Sequence, residues 1–252
     1  MKAITPADLV RARLPSFERR VAAALRSIEE ASVGNTLGVS FSSGKDSTVV
    51  LDLVRRVVPD VSTAFFDSGC EYESTYEVVA HYGVQTIYLE RSLPELCRYV
   101  GAWGAEAECP GAEVSFSHYL IDEPSRRWAF QDGLSVIVLG LRAQESKGRK
   151  MNVRRRGSFY EVGTHSCRLR LLPIASWSHD DVWAYVASRG LKYNAAYDKM
   201  AELGIPRDSW RVSTLMGVCG AATMGRYSYL AQVDPKKYNE LVRDFPKIAE
   251  YL

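Results

Sequence analysis

The most informative stretch of this chain is VSFSSGKDST, which runs from Val39 to Thr48. It passes from an apolar strand pattern through small residues into a helical pattern. Small residues let the backbone approach a ligand, the first N–H groups of the next helix lack partners, and Lys45 adds a positive charge. This pattern predicts a cradle for a phosphate, although the spacing is not that of a Walker A loop. The alternative is an ordinary strand-to-helix turn with Ser42 or Ser43 as the N-cap.

Strand and helix patterns alternate around this loop. Short connections between them indicate βαβ units and therefore an α/β fold with a mostly parallel sheet flanked by helices. The apolar run SVIVLGL, residues 135–141, is typical of a central strand buried on both faces. The other predicted strands are 36–41, 62–66 and 84–89, with helices at 47–58 and 74–82.

Changes in apolar periodicity and charge divide the chain into three parts. Between Phe17 and Glu30 apolar residues recur at the spacing of an amphipathic helix. Near the other end, Asp180 and Asp181 open a helical pattern, where carboxylates complement the helix dipole. We therefore predict an N-terminal helical segment (1–34), an α/β domain that contains the loop (35–175) and a helical C-terminal portion (176–252).

Composition is that of a globular protein, with 252 residues of which 46% are apolar and 25% charged. This excludes collagen, low-complexity tails and disulfide miniproteins. Five cysteines without close pairing suit a reducing compartment. The sequence shows no signal peptide and no uncharged apolar run of about 18 residues, so we expect a cytoplasmic protein without membrane contact.

A local cluster of positive charge is hidden in the net charge of +2. Six cations fall within the ten residues 147–156. Such a run can bind a nucleic-acid backbone. It can equally be a solvated loop or serve the phosphates of a nucleotide. The cations are Lys147, Arg149, Lys150, Arg154, Arg155 and Arg156.

The loop resembles the PP-loop, S-G-G-K-D-S, of the ATP pyrophosphatase superfamily, in the branch that contains phosphoadenylyl-sulfate reductases. Ser43 replaces a glycine of that motif, and we expect it to keep a negative φ, which serine adopts without strain. Further segments match the branch in the same order. They are Phe66–Tyr76, Gly140–Arg149, Pro173–Tyr185 and Asn194–Asp198.

This resemblance implies a Rossmann-like adenine nucleotide alpha hydrolase fold and a nucleotide site. Asp46 and Asp67 are candidate Mg²⁺ contacts, but carboxylates in these positions also cap helices. Lys45, Asp46 and Arg142 are the implied catalytic residues. The implied nucleotide-binding residues are Ser40, Ser42, Ser43, Gly44, Lys45, Asp46, Ser47, Asp67, Ser68, Gly140, Arg142 and Arg149.

Two reactions are found on this scaffold. A reductase of nucleotide sulfates uses a cysteine in its C-terminal tail, and this sequence has no cysteine after Cys219. An adenylating enzyme instead lets an acceptor oxygen attack the α-phosphate of Mg²⁺-bound ATP, which releases pyrophosphate. A third interpretation is a nucleotide-binding subunit without catalytic activity, suggested by the serine at position 43 where the motif has glycine.

Because the tail cysteine is missing, the sequence looks more like the ATP pyrophosphatases of DNA phosphorothioation (DndC-like and SspD-like proteins). That resemblance implies DNA as acceptor, bound by Lys147, Lys150 and residues 154–156. It also implies a cysteine desulfurase as sulfur donor, and it admits a homodimer.

Cys167 is the cysteine that best fits a role in sulfur chemistry. Cys167 has cationic neighbours in Arg168 and Arg170, so we expect an exposed thiol with a lowered pKa that handles sulfur. Relatives in this branch can carry a [4Fe–4S] cluster, to which Cys109, Cys167 and Cys219 would contribute here. The absence of a C-x-x-C pair argues against that cluster.

Overall fold

A computed structural model describes residues 2–163, 167–212, 215–216 and 224–251. Within them the strands form one six-stranded sheet in the order β3-β2-β1-β4-β6-β5. Every neighbouring pair is parallel except β5 and β6, which are antiparallel. The strands are β1 (Leu37–Phe41), β2 (Ser62–Asp67), β3 (Gln85–Tyr88), β4 (Val136–Leu139), β5 (Phe159–Glu161) and β6 (Leu169–Leu171).

Helices connect the strands and complete both ends of the described chain. In chain order they are α1 (Pro6–Arg11), α2 (Pro15–Ser32), α3 (Lys45–Arg55), α4 (Glu73–His81), α5 (Leu93–Val100), α6 (Glu123–Gln131), α7 (Lys147–Arg156), α8 (His179–Arg189), α9 (Ala196–Glu202), α10 (Met224–Val233) and α11 (Pro235–Asp244). No helix of the described residues is long and apolar enough to cross a membrane.

The sheet is buried on both faces because its central strands are apolar at consecutive positions. Val136 and Val138 of β4 join the large core that also contains α3 and α8. Ile137, between them, points to the opposite face and joins a smaller core with Trp128 of α6. This confirms the predicted central strand, and it confirms an α/β fold with a mostly parallel sheet flanked by helices.

Strand order reverses beside β1. The chain builds β2 and β3 on one side of β1 and then returns to place β4 on the other side. Gly38 of β1 lies opposite both Ser62 and Ile137. In open α/β sheets the crevice at the carboxyl ends of such strands is where ligands bind, and the loop after β1 lies there.

The N-terminal helices pack against the C-terminal portion through Asp181. Its carboxylate accepts hydrogen bonds from Arg11 Nε at 2.8 Å and Arg20 Nη1 at 3.1 Å. Asp181 also closes a capping box with Ser178 at the start of α8. The aspartate predicted to favour a helix start thus also joins the two ends of the chain.

The segment 142–170 has more structure than its polar, basic sequence indicates. It forms α7 and β5 and leads into β6, which pairs with β4 inside the sheet. Each of these strands has only three residues. Charged side chains on such short strands conceal the alternating pattern, which explains why we did not predict them.

Candidate functional site

The loop predicted to bind phosphate, called the phosphate loop below, is residues 42–44, between the end of β1 and the start of α3. Gly44 is the N-cap of α3. The Ser47 hydroxyl donates to the Gly44 carbonyl oxygen at 2.9 Å and accepts from Ser42 N at 3.2 Å. These bonds fold the loop back on the first turn of the helix, and the positive end of a helix dipole favours an anion.

Ser43 has φ of +53°, so our expectation of a negative φ at this position is wrong. The serine takes the left-handed conformation that the usual glycine adopts freely. Two buried side chains hold it there, because its hydroxyl donates to Thr75 Oγ1 at 3.2 Å and accepts from Asn194 Nδ2 at 3.1 Å. The loop therefore keeps a glycine-like backbone with a serine at this position.

A buried ionic cluster of Lys45, Asp46 and Arg142 lies at the start of α3. Lys45 Nζ contacts Asp46 Oδ2 at 2.7 Å, and Arg142 Nε donates to the other carboxylate oxygen. The Lys45 and Arg142 side chains are only 1% and 2% exposed. Burial raises the pKa of Asp46, but the two cations outweigh it and the pKa is lowered. Glu145 also lies 3.9 Å from Arg142 Nη2 and pairs with Arg149. The cations Lys45, Arg142 and Arg149 therefore exceed the carboxylates Asp46 and Glu145 by one charge, which is available to an anion.

Gly140 brings β4 close to this cluster. A Cβ atom at this residue would lie 2.7 Å from Ser47 N and 2.8 Å from the carbonyl carbon of Asp46. Both are backbone atoms of α3, which cannot move aside as a flexible side chain would. Glycine therefore lets the chain pass from β4 to Arg142 directly beneath the helix start.

The C-terminal portion supplies site residues whose roles we did not predict. The Tyr197 hydroxyl accepts a hydrogen bond from Lys45 N at 3.1 Å, and Asn194 binds Ser43. Both belong to the segment Asn194–Asp198, which resembles the phosphoadenylyl-sulfate reductase branch. That resemblance was the sequence feature that could have identified them. His179 is a further case, since its Nε2 is buried with no hydrogen-bond partner among the described residues. Burial, together with the cations Lys45 and Arg142, lowers the His179 pKa to about 3, so the imidazole is neutral.

An apolar cavity of about 430 Å³ opens beside the phosphate loop at the carboxyl ends of β1 and β2. Ser42 belongs to both the loop and the cavity wall. The predicted nucleotide residues Ser40 and Ser68 also line the cavity. Asp67 Oδ1 is engaged locally, accepting from Gly69 N at 2.9 Å and from Tyr76 Oη at 3.0 Å.

The basic helix α7 begins at the ionic cluster. Arg142 N donates to Glu145 Oε2 at 2.9 Å, and Arg149 of α7 contacts the same carboxylate oxygen. The predicted cations of residues 147–156 all lie on α7 and are all exposed. The structure thus connects them to the site through Glu145, while Lys147, Lys150 and Arg154 share one face of the helix.

Cys167 does not have the exposed thiol that we expected, and that prediction is wrong. It is 2% exposed and packs with Trp128 and Ile137 in the smaller core. Burial raises its pKa despite the Arg170 guanidinium 4.0 Å from the sulfur. A buried, protonated thiol is a poor nucleophile, so we assign Cys167 no catalytic role.

The described residues do not form a ready Mg²⁺ site. Both carboxylate oxygens of Asp46 are engaged by Lys45 and Arg142, and Asp67 is held by its own turn. Within the described ranges no three His, Cys, Asp or Glu side chains come together as metal ligands. Of the three cysteines considered for a cluster, Cys219 lies outside the described residues.

Comparison with known proteins identifies a family that covers most of the chain. A family model described as the phosphoadenosine phosphosulfate reductase domain matches residues 36–204. An adenosine 5'-phosphosulfate reductase of Lysinibacillus sphaericus is 23% identical over 177 residues, covering 66% of this chain and 70% of that protein. An uncharacterized protein of Methanocaldococcus jannaschii is 25% identical over 212 residues, or 82% of this chain. The chain spans only 46% of the length of that relative.

Two solved structures share the fold. A phosphoadenylyl-sulfate reductase from Candida auris, in a phosphate complex, superposes with a TM-score of 0.52 at 19% identity, over 72% of this chain and 85% of that one. The U34-tRNA thiolase of Methanococcus maripaludis, with its [4Fe–4S] cluster, gives 0.50 at 13% identity, over 94% and 80%. The predicted Rossmann-like nucleotide hydrolase fold is confirmed.

Proposed function

Because the chain belongs to the phosphoadenosine phosphosulfate reductase domain family, we propose that it uses ATP to adenylate an acceptor oxygen, releasing pyrophosphate and finally AMP. The observation that carries this proposal is the buried cluster of Lys45, Asp46 and Arg142 at the start of α3. The excess positive charge of this cluster, together with the N-terminus of α3 beside it, suits a polyphosphate rather than a single small anion.

In the proposed reaction the acceptor oxygen attacks the α-phosphorus of ATP, and the bond from that phosphorus to the pyrophosphate oxygen breaks. Lys45 and Arg142 would stabilise the negative charge that develops on the leaving pyrophosphate. Magnesium enters this proposal only as part of the MgATP substrate, because Asp46 is already paired with both cations.

The acceptor in this proposal is a backbone phosphate of DNA. Sulfur supplied by a cysteine desulfurase would then attack the DNA phosphorus, and the bond from that phosphorus to the adenylated oxygen would break, so that the oxygen leaves with AMP. The support for DNA as the acceptor is the position of α7, which starts at the ionic cluster and exposes six cations to solvent. A DNA backbone bound along α7 would reach the ionic cluster at the N-terminal end of this helix, where Glu145 contacts Arg142 and Arg149. Nucleic-acid affinity there would come from neutralised phosphates and released counterions.

Pyrophosphate release from MgATP, with and without DNA, tests the proposal. We expect Lys45→Ala to abolish release while Lys199→Ala, which removes a lysine half-exposed on α9, leaves it unchanged. Equal activity in both variants would refute the role of the cluster. No release by the wild-type protein under any condition would favour a silent nucleotide-binding subunit.

A reductase of nucleotide sulfates is the second candidate, favoured by the matching family model and the named reductase relative. Of the four cysteines that the structure describes, Cys70, Cys97 and Cys167 are buried, so an external thiol would be required as reductant. Sulfite release from adenylyl sulfate with added thiol, but no pyrophosphate release from ATP, would establish this activity instead.

A further inference from the structure

Glu71 is the only ionisable side chain in the described wall of the cavity beside the phosphate loop. The rest of the wall is apolar or hydroxylic. The half-buried Phe66 and Phe116 give it aromatic surface, which suits a flat ring system that packs by its faces and edges. Phe41 and Phe65 also border the cavity, but both are only 2% exposed and belong to the large core. A single carboxyl group in such a wall is a natural determinant of ligand orientation.

A rigid turn holds Glu71 in place. The Ser68 hydroxyl donates to Glu71 Oε1 at 2.7 Å and accepts from Cys70 N at 3.2 Å. Gly69 has φ of +71°, and a Cβ there would lie 2.8 Å from Ser92 Cβ. The Ser68 carbonyl oxygen accepts from Leu93 N at 2.8 Å, which joins the turn to α5.

The second carboxylate oxygen of Glu71 has no partner among the described residues. The residue is only 6% exposed, and Oε2 is buried without a hydrogen bond. Burial raises the Glu71 pKa to about 7, which Asp67 reinforces while the Ser68 hydroxyl and Lys237 oppose it. Above that pH the carboxylate is ionised, and Oε2 is a strong acceptor that needs a donor.

We infer that Glu71 determines base specificity by accepting a hydrogen bond from the exocyclic amino group of the bound adenine. This rests on the proposed use of ATP. A nucleotide with its phosphates on residues 42–44 would place its base in the adjoining cavity, since Ser42 lines both. There Phe66 and Phe116 would contact the ring, and Oε2 would provide the hydrogen bond that apolar walls lack.

Binding of ATP and of purine riboside 5'-triphosphate, which lacks the 6-amino group, tests this inference. Calorimetry at pH 8 keeps Glu71 ionised. The wild-type protein should bind ATP roughly tenfold to a hundredfold more tightly, as expected for a hydrogen bond to a charged group. Glu71→Leu should reduce this ratio to about one, because it removes the acceptor but retains an apolar wall.

The matched control is Glu73→Leu, which removes an exposed carboxylate two residues away and should leave the ratio at its wild-type value. Glu71→Gln is a second variant for the case that leucine impairs folding, and its ratio should fall below that of the wild type. Equal binding of both nucleotides by the wild-type protein would overturn the inference, as would an unchanged ratio in the Glu71 variants. Failure of the wild type to bind ATP would instead refute the proposed function.

Discussion

Replacement of Ser43 separates backbone strain from hydrogen bonding in the phosphate loop. Ser43→Gly removes the hydroxyl and the left-handed strain together, whereas Ser43→Ala removes the hydroxyl and keeps the strain. The residue is fully buried at φ of +53°, and its hydroxyl bonds both Thr75 and Asn194. The two variants therefore differ only in whether a β-carbon occupies a left-handed backbone.

The magnitudes follow from these contacts. A left-handed conformation costs a non-glycine residue about 1–2 kcal/mol. Glycine avoids this strain, but it loses about 0.5–1 kcal/mol more conformational entropy on folding, which offsets part of the gain. Each of the two buried hydrogen bonds contributes about 1 kcal/mol. Ser43→Gly should thus lower the free energy of unfolding by about 1 kcal/mol, and Ser43→Ala by about 2 kcal/mol.

Urea unfolding measures both values, and thermal unfolding checks them at about 2–4 °C per kcal/mol for a chain of this size. Ser176→Ala, at an exposed serine, is the control and should change stability by less than about 0.5 kcal/mol. The reasoning is refuted if the glycine variant equals or exceeds the wild type, or if the alanine and glycine variants are equally stable.

Three further predictions concern Asp181, Gly140 and α7. Asp181→Asn should destabilise the protein by about 2 kcal/mol at pH 7, less than for a fully buried pair because its arginines are partly exposed. Burial raises the Asp181 pKa, but Ser178 and Arg11 outweigh burial, so the pKa is lowered. The stability that Asp181 contributes is therefore present above the ordinary value of 3.8 and is lost as the pH falls below it. A stability difference between wild type and Asp181→Asn that persists in acid would contradict this. Gly140→Ala should weaken ATP binding at least tenfold, since its Cβ meets the backbone of α3. Gly148→Ala on α7 should leave the affinity unchanged, because its Cβ would make only an ordinary contact with Ser146 Oγ at 4.0 Å; equal affinities of the two variants in calorimetry would disprove the close approach. Alanine at 154–156 should lower the salt slope of DNA binding by up to about three, with ATP affinity retained; an unchanged slope would exclude α7 as the DNA surface.

Sequence patterns alone located the sheet and the phosphate loop. The predicted helices 17–30, 47–58 and 74–82 correspond to α2, α3 and α4, and the four predicted strands correspond to β1 to β4. Most of these elements have an apolar run or a helical period in their own sequence, which identifies them. The strand β3 is the weakest case, with four residues of which only Ile87 is buried. The strands β5 and β6 have three residues each, which is too short for a recognisable period. They are stabilised by pairing, of β6 with β4 and of β5 with β6.

The candidate site shows the same division. Small residues, Lys45 and Asp46 between a strand and a helix were sufficient to predict a phosphate cradle, because that chemistry lies within a few consecutive residues. Sequence also placed Arg142 at the end of a later strand, although only parallel pairing of β1 with β4 brings it to Asp46.

Only tertiary structure decided how Ser43, Cys167 and Glu71 behave. The sign of φ at Ser43 depends on Thr75 and Asn194, which are 32 and 151 residues away along the chain. Cys167 has cationic sequence neighbours, but packing against α6 removes its thiol from solvent. Glu71 resembles any acidic residue in a turn until the cavity and its unpaired oxygen are seen. Sequence determines which chemical groups are available near one another in the chain, while burial and long-range hydrogen bonds determine their conformation, charge and access to ligand.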